Sequence, residues 1–445
     1  MKSLQNTLQA LWRYPSAVVG LLVVFALVFT AFYAMIKIPY NEAIRLWRGG
    51  EDVWYQNPKF AAPAWINFFS TKDYAESFSV RTTDKSMPKQ VTPGNEGTST
   101  IDITYPFTFT SDFIPQDMIL YISSKYEQKQ PFISAKWLTP DGREIRITNL
   151  AITQKQTYRF AQDEKLKTRL HTEDVIPQLF TDPDTGKIVK GEYQLQIQGT
   201  TFEPDSDINM EFVFHGQVYG LAGTDQARRD LTVPLLWGTP VALAFGLIAS
   251  LGTSVLTMVI AALGTWYGGW LDELIQRITE INIVLPFLSI LIMIGTFYSR
   301  SIWVILGATI LLSIFTGAIK GYRSIFVQVK ESMYIEAAKA YGASSPRIVF
   351  FYLIPRMIPL LIPGLVSSVP AFVFLEASLA VLGLGDPVLP TWGKIIQDAN
   401  ANGALYRGYY YWILEPATLL MITGLGFAML GFALDRIFNP KLRDI

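Results

Sequence analysis

Hydrophobic positions in this chain follow two patterns that occupy different stretches. Long charge-free apolar runs cover 17–36, 231–271, 281–299, 301–319, 357–375 and 416–434. Most are about 19 residues, close to the roughly 20 that an α-helix needs to cross a bilayer. The run at 231–271 is about twice that length, so it should hold an interfacial lead-in, a span near 241–263 and a turn at 264–269. A buried soluble helix is an alternative for any one run, but six such runs point to a membrane protein. The first run could also be a signal peptide. Its apolar stretch is longer than the usual 7–15 residues, and no small-x-small site follows it.

Between the first two runs, from 40 to 222, the pattern changes. Ile101, Ile103, Tyr105, Phe107 and Phe109 alternate with polar or small residues, as do Tyr193, Leu195 and Ile197, and Ile208, Met210, Phe212 and Phe214. Period two is the mark of a half-buried strand. Pro140-Asp141-Gly142 separates two such segments and predicts a hairpin. The expected structure is a β-rich insertion, a β-sandwich by the number of short strands. The stretch 86–99, rich in Pro, Gly, Thr and Ser, reads as a mobile loop.

Charge orients the spans. Lys2 and Arg13 precede the first run, and Lys320, Arg323, Lys330, Lys339, Arg347 and Arg356 crowd the loop at 320–356. Arg436, Lys441 and Arg443 follow the last run. By the positive-inside rule both termini and that loop are cytoplasmic, and the β-rich insertion is extracytoplasmic. Leu4, Leu8, Leu11 and Trp12 recur at helical spacing, so the leader should lie along the membrane face. The domains expected are therefore 1–39 (interfacial helix and first span), 40–222 (insertion) and 223–445 (five further spans).

Composition removes several chemistries. Lysine plus arginine equals aspartate plus glutamate at 37 each, so no basic surplus favours nucleic acid. There is no cysteine, and the two histidines, His171 and His215, lack metal-ligand spacing. No cofactor is implied. Asp182-Pro183-Asp184-Thr185-Gly186-Lys187 has the wrong spacing for a calcium loop and reads as a turn. No GxxxxGK(S/T) P-loop is present.

One segment carries candidate function. Glu336-Ala337-Ala338-Lys339-Ala340-Tyr341-Gly342-Ala343-Ser344 combines helix formers, small side chains that admit a close neighbour, and a glycine suited to a left-handed helix end. Ser345 can cap the next helix, with Pro346 at its first position. The product is a helix, a sharp turn and a second helix leading into a span. An ordinary amphipathic loop is the bland alternative. Glu376 is ionisable within an apolar run. It is a structural partner of another helix, a lining or gate of a water-filled path, or a residue at the membrane interface.

The 336–344 segment resembles the EAA loop of ABC-importer permeases. Arg13-Tyr14-Pro15-Ser16 resembles the start of the C-type permeases of dipeptide, oligopeptide and nickel importers. Gly223-Thr224-Asp225-Gln226-Ala227-Arg228-Arg229-Asp230 resembles their GTDxxGRD segment, Tyr267-Gly268-Gly269-Trp270-Leu271-Asp272-Glu273 their YFGGWxDE, Glu376-Ala377-Ser378-Leu379-Ala380-Val381-Leu382-Gly383-Leu384-Gly385 their EASLSFLGLG, and Pro390-Thr391-Trp392-Gly393 their PSWG. Arg228 departs from the pattern, standing where it has glycine. Lys394 replaces an asparagine, and Asp435-Arg436 inverts a usual Arg-Asp.

The resemblance implies the six-helix binding-protein-dependent permease fold in a prokaryotic inner membrane. It implies a heterodimer with a second permease, two cytoplasmic ATPases that dock at Glu336, Ala337, Ala338 and Gly342, and an extracytoplasmic substrate-binding protein. Peptides are the substrate class it implies, and the chain itself is a transport subunit, not an enzyme. A membrane-anchored extracytoplasmic sensor or scaffold, and a tethered enzyme, are the competing readings. The insertion is expected to contact the binding protein or the second permease.

Overall fold

The computed structural model describes residues 14–84, 89–95 and 97–438. The leader carrying Leu4 to Trp12, and the tail residues Lys441 and Arg443, lie outside the described residues. The chain forms two compact units, Gly49–Thr232 and the remainder from Met1–Arg48 and Val233–Ile445.

In the helical unit, four helices are long and apolar enough to cross a membrane, Pro15–Lys37, Thr232–Tyr267, Ser345–Leu384 and Tyr411–Phe438. Two bent pairs bring the spans to six when each pair is counted as one. Gly269–Val284 meets Phe287–Phe297 at 80°, and Ile302–Ile314 meets Gly317–Lys330 at 49°. The runs at 281–299 and 301–319 are thus not straight helices. Pro286 lacks the N–H that would continue the first, and the chain turns there. At the second break, freed carbonyls need donors in a medium without water. Asn282 Nδ2 donates to the Leu312 and Phe315 carbonyls, each at 2.8 Å, and Thr257 Oγ1 to that of Ile314 at 3.0 Å.

The 231–271 run differs from its expected layout. One continuous helix runs from Thr232 to Tyr267 with Pro240 inside, so no separate lead-in exists. The turn lies at Gly268 and Gly269, with φ of 64° and 54°, while Gly264 is helical. Pro15–Lys37 packs on Tyr411–Phe438 through small residues. A Cβ on Gly20 would sit 2.7 Å from Leu430 N, so only glycine permits this approach.

The β-rich unit is a sandwich. Its strands are β1 (Phe78–Arg81), β2 (Lys89–Pro93), β3 (Ser99–Phe109), β4 (Asp117–Lys125), β5 (Phe132–Leu138), β6 (Glu144–Ala151), β7 (Lys155–Arg159), β8 (Gly191–Thr201) and β9 (Asp207–His215). One sheet has the order β1-β9-β4-β7, the other β2-β3-β8-β5-β6, and every pairing is antiparallel. Tyr105, Trp137 and Leu195 from the five-stranded sheet share one buried core with Met118, Leu120 and Phe212 from the other. Tyr105 hydroxyl donates to the Met210 carbonyl at 3.1 Å, tying the sheets together. The β5–β6 hairpin turns at Gly142, φ 85°, as the sequence predicts. The 182–187 segment is a turn closed by Gly186 N to Asp182 O at 2.8 Å.

The loop expected at 86–99 is not wholly a loop. Residues 89–93 form β2 and pair with β3 as an edge strand, ending at Pro93, where an edge tolerates proline. The expected insertion bounds, 40 and 222, also differ from Gly49–Thr232. At the front, Tyr40–Arg48 is a helix whose Tyr40 ring lies 5.9 Å from Trp237. Trp237 Nε1 in turn donates to the Ile38 carbonyl at 3.0 Å. At the back, Thr224 Oγ1 accepts from Ala61 N at 2.9 Å and donates to Pro58 O at 2.8 Å, which binds 223–230 to the β-rich unit.

Candidate functional site

Residues 333–348 form the predicted helix, turn and helix. Met333–Ala340 is the first helix and Ser345–Ile348 the start of the second. Gly342 has φ 78°, and Ala343 N reaches back to Ala338 O at 3.0 Å while Gly342 N meets Lys339 O at 2.9 Å. This pattern satisfies carbonyls that a helix end leaves open. The cap of the second helix is Ser344, one residue earlier than expected, because Ile348 N bonds to the Ser344 carbonyl at 3.0 Å. Pro346 still falls in the first turn.

The segment is pinned from one side. Ile335, Ala338 and Ile348 are buried together, with Trp266 and Ala343 packed on them. Lys339 Nζ lies 5.0 Å from the Trp266 ring centroid and Lys330 Nζ 5.7 Å. Lys330 Nζ also donates to the Thr265 and Trp266 carbonyls at 3.0 and 3.1 Å, where the Thr232–Tyr267 helix presents its negative end. Just beyond, Arg323 holds Asp272 through both carboxylate oxygens, with contacts of 2.6 to 2.9 Å. That fork joins the Gly269–Val284 and Gly317–Lys330 helices. Sequence reasoning missed Trp266, Lys330 and this ion pair as parts of the site.

The other side is open. Glu336, Ala337, Ala340 and Gly342 are exposed, and so are Met333 at 87%, Tyr341 at 93% and Phe351 at 74%. Ala338 does not share that face. Its methyl group is buried, so its small size serves the packing beneath the loop. These small and apolar positions beside Glu336 and Arg347 make a face suited to protein contact.

Glu376 lies elsewhere, in the Ile354–Leu379 helix, and is only 6% exposed. It faces the segment 386–401. Thr391 and Asp386 are among its electrostatic neighbours. Gly393 approaches so closely that a Cβ there would sit 2.6 Å from Ala377 Cα. Asp386 itself accepts from Ile302 N at 2.9 Å and Val388 N at 2.8 Å. This packing fits a structural partner, one of the alternatives the sequence left open. A cavity of about 470 Å³ does open at the two helix breaks, lined mainly by apolar groups such as Leu285, Phe287, Leu312 and Phe372, with Asn282 and Thr316 at its polar edge. Among the described residues, no group of three or more histidines and carboxylates is placed to hold a metal.

Residues 253–444 match the family model described as binding-protein-dependent transport system inner membrane component. That range includes the 333–348 segment and Glu376, and none of the β-rich unit. The chain is 29% identical over 225 residues to a dipeptide transport system permease protein of Alkalihalophilus pseudofirmus, covering 50% of this chain and 72% of that protein. It is 29% identical over 226 residues to an oligopeptide transport system permease protein of Bacillus subtilis, with 50% and 72% covered. A peptidoglycan transport system permease protein of Agrobacterium fabrum is 29% identical over 188 residues, covering 40% of this chain and 47% of that one.

Proposed function

We propose, for a chain whose residues 253–444 belong to the family of binding-protein-dependent transport system inner membrane components, that it is the permease subunit of an ATP-driven peptide importer. The observation that carries this reading is the 333–348 segment, pinned beneath by Trp266 and open above at Glu336, Ala337 and Gly342. A lever transmits force only if it is rigid and free on its working face. In this reading a cytoplasmic ATPase seats on that face, and a second ATPase seats on the corresponding loop of a partner permease. ATP-driven closure of the pair pulls on Met333–Ala340. The pull passes through Trp266 and the Arg323–Asp272 fork to the broken spans.

Helix breaks at membrane depth are tolerated where they line a cavity or are buried in protein. The cavity at 282–287 and 312–316 is therefore the better candidate for this chain's share of the path. Peptide as the cargo is supported by the names of the relatives. The β-rich unit lies outside the cytoplasm in this topology, where a substrate-binding protein delivers cargo. A sensor or scaffold alone would leave the open face of 333–348 without a partner.

The absence of native cysteine makes the test clean. Ala337→Cys should cross-link to an ATPase carrying one cysteine in its docking groove, with yield changing between nucleotide-free and ATP-bound states. A cysteine at Ala151, an exposed position in the β-rich unit, should not. Equal cross-linking from both positions, or none from Ala337→Cys in an assembled complex, would refute the docking role.

A further inference from the structure

The β-rich unit contains a cavity lined by charged and aromatic side chains that the import reading does not use. It measures about 420 Å³ and is lined by Glu51, Asp52, Tyr55, Tyr121, Thr157, Arg159 and Arg228. A second cleft of about 520 Å³ shares Tyr55, Tyr121 and Thr157 with it and adds Arg81, Lys155 and Glu211. Both volumes suit a small ligand.

Arg228 is the unusual member. Its φ is 64°, a region that disfavours every side chain except glycine's hydrogen. Glycine is what the related pattern carries there. The chain therefore keeps arginine at a backbone cost, and such strain collects at working sites. The residue is 7% exposed. Its Nη1 donates to the Asn57 carbonyl at 2.6 Å and its Nε lies 3.5 Å from Glu51 Oε1. Nη2 has no partner among the described residues. A nearly buried guanidinium with an idle nitrogen on a cavity wall is a donor waiting for an acceptor.

Its surroundings reinforce the point. Arg159, at the end of β7, makes no side-chain hydrogen bond or ion pair among the described residues and lines the same cavity. Asp117, half-buried nearby, accepts from Met118 N at 2.8 Å and feels the charge of both arginines without an ion-pair contact to either. His215 touches Arg228 Nη1 at 3.4 Å, and burial, followed by the arginine's charge, pushes it down to about 3, so it is neutral. The Tyr55 and Tyr121 rings stand edge to face at 4.8 Å and form an aromatic wall. Tyr55 hydroxyl is committed to Glu211 at 3.0 Å. Glu51 and Asp52 add negative charge to the same lining, and Glu51 is shared between Arg228 at 3.5 Å and Lys59 at 2.7 Å.

We propose that this cavity binds the carboxylate of a short peptide, held by Arg159 and the idle edge of Arg228, with the peptide's ammonium end toward Glu51 and Asp52. A lining that carries both arginines and carboxylates matches a zwitterion better than a simple anion. The peptide identity rests on the import reading above, whereas the carboxylate chemistry rests on the cavity alone. Bound there, a peptide would be read by the β-rich unit in addition to whatever passes through the spans.

The test is calorimetric titration of the full chain in nanodiscs, without ATPases, using dialanine, dialanine amide and sodium phosphate. Dialanine should bind, and amidation should weaken it at least tenfold. Arg159→Gln should weaken it at least tenfold. Arg228→Gly should do the same while the melting temperature holds or rises, because glycine fits φ 64°. A purely structural arginine would instead lower the melting temperature and leave binding alone. Equal binding of acid and amide, unchanged affinity in Arg159→Gln, or binding of phosphate but not dialanine each overturns the proposal. Because no transport is measured, loss of binding leaves the importer reading standing, and failure of the Ala337→Cys cross-link leaves dialanine binding standing.

Discussion

Replacing Trp266 by alanine should release the 333–348 segment without unfolding the spans. Two lysines lie over its ring, Lys339 at 5.0 Å and Lys330 at 5.7 Å. Each such contact is worth about 0.5–1 kcal/mol at a partly exposed site. The indole also packs on the buried trio Ile335, Ala338 and Ile348. Full burial of a tryptophan would make the truncation cost 3–5 kcal/mol, and a half-buried ring loses roughly half of that. The total is about 3 kcal/mol, or roughly 150-fold in the local opening equilibrium. The loss is local because Lys330 keeps its bonds to the Thr265 and Trp266 carbonyls, which alanine retains. Hydrogen exchange of the chain in nanodiscs reads it directly. The reporting amides are Tyr341, Gly342 and Ala343, bonded to Ala337, Lys339 and Ala338. Their protection should fall by about two orders of magnitude, while helix Tyr411–Phe438 exchanges as before. Phe at 266 should lose less, since the ring face stays. Unchanged protection at those three amides in Trp266→Ala would refute the pinning argument.

Gly342→Glu should insert in the membrane normally, since an added Cβ meets nothing within 4 Å, yet carry fewer ATPases through purification because φ 78° and the open face are both disturbed. Wild-type ATPase yield with wild-type transport would reject this. Glu376→Leu should lower the melting temperature more than Glu376→Gln, since the site is buried against 386–401. A Leu variant as stable as Gln but inactive in transport would return Glu376 to the path. The folded His215, down at about 3, refuses a proton that the unfolded chain accepts near 6.5. Its contribution is therefore complete above pH 6.5 and falls by up to about 1.4 kcal/mol per pH unit between 6.5 and 3. Half-buried Asp117 and buried Asp225 are pushed upward by desolvation and act in the opposite sense, so the measurement is the difference between wild type and His215→Gln. A difference independent of pH over that window would contradict the assignment.

The sequence made the membrane spans and half of the sandwich readable, for physical reasons that also explain what it hid. Strands β3 and β8 have one face in the core and one outward, and in β9 polar Asn209 and Glu211 alternate with apolar neighbours, so period two shows. In β4 the buried Met118, Ile119 and Leu120 are consecutive, and no alternation survives. Hydropathy counts apolar residues but is blind to their direction. The 80° and 49° breaks are therefore invisible to it, although Pro286 and Asn282 were the local signs. Glu336 and Gly342 were legible because helix ends are written locally. The clamp of Trp266 on Lys339 was not, since it joins residues far apart in the chain.

The two ends of the β-rich unit are stitched to each other. Phe60 N bonds to Asp225 O at 3.2 Å, Ala62 N to Gln217 O at 2.9 Å and Tyr219 N to Ala62 O at 2.8 Å. The unit therefore closes its own loop. To the spans that flank it, the insertion Gly49–Thr232 counts not as its full length of chain but as a connection of about 20 residues, and loop-closure entropy grows only with the logarithm of length. The saving is about 2 kcal/mol against an unstitched chain of the same size. A helical membrane unit can thus carry a whole extra sandwich at the entropic cost of an ordinary surface loop. By the same token, an unrelated domain with paired ends should be exchangeable for this one at the Phe60–Asp225 seam.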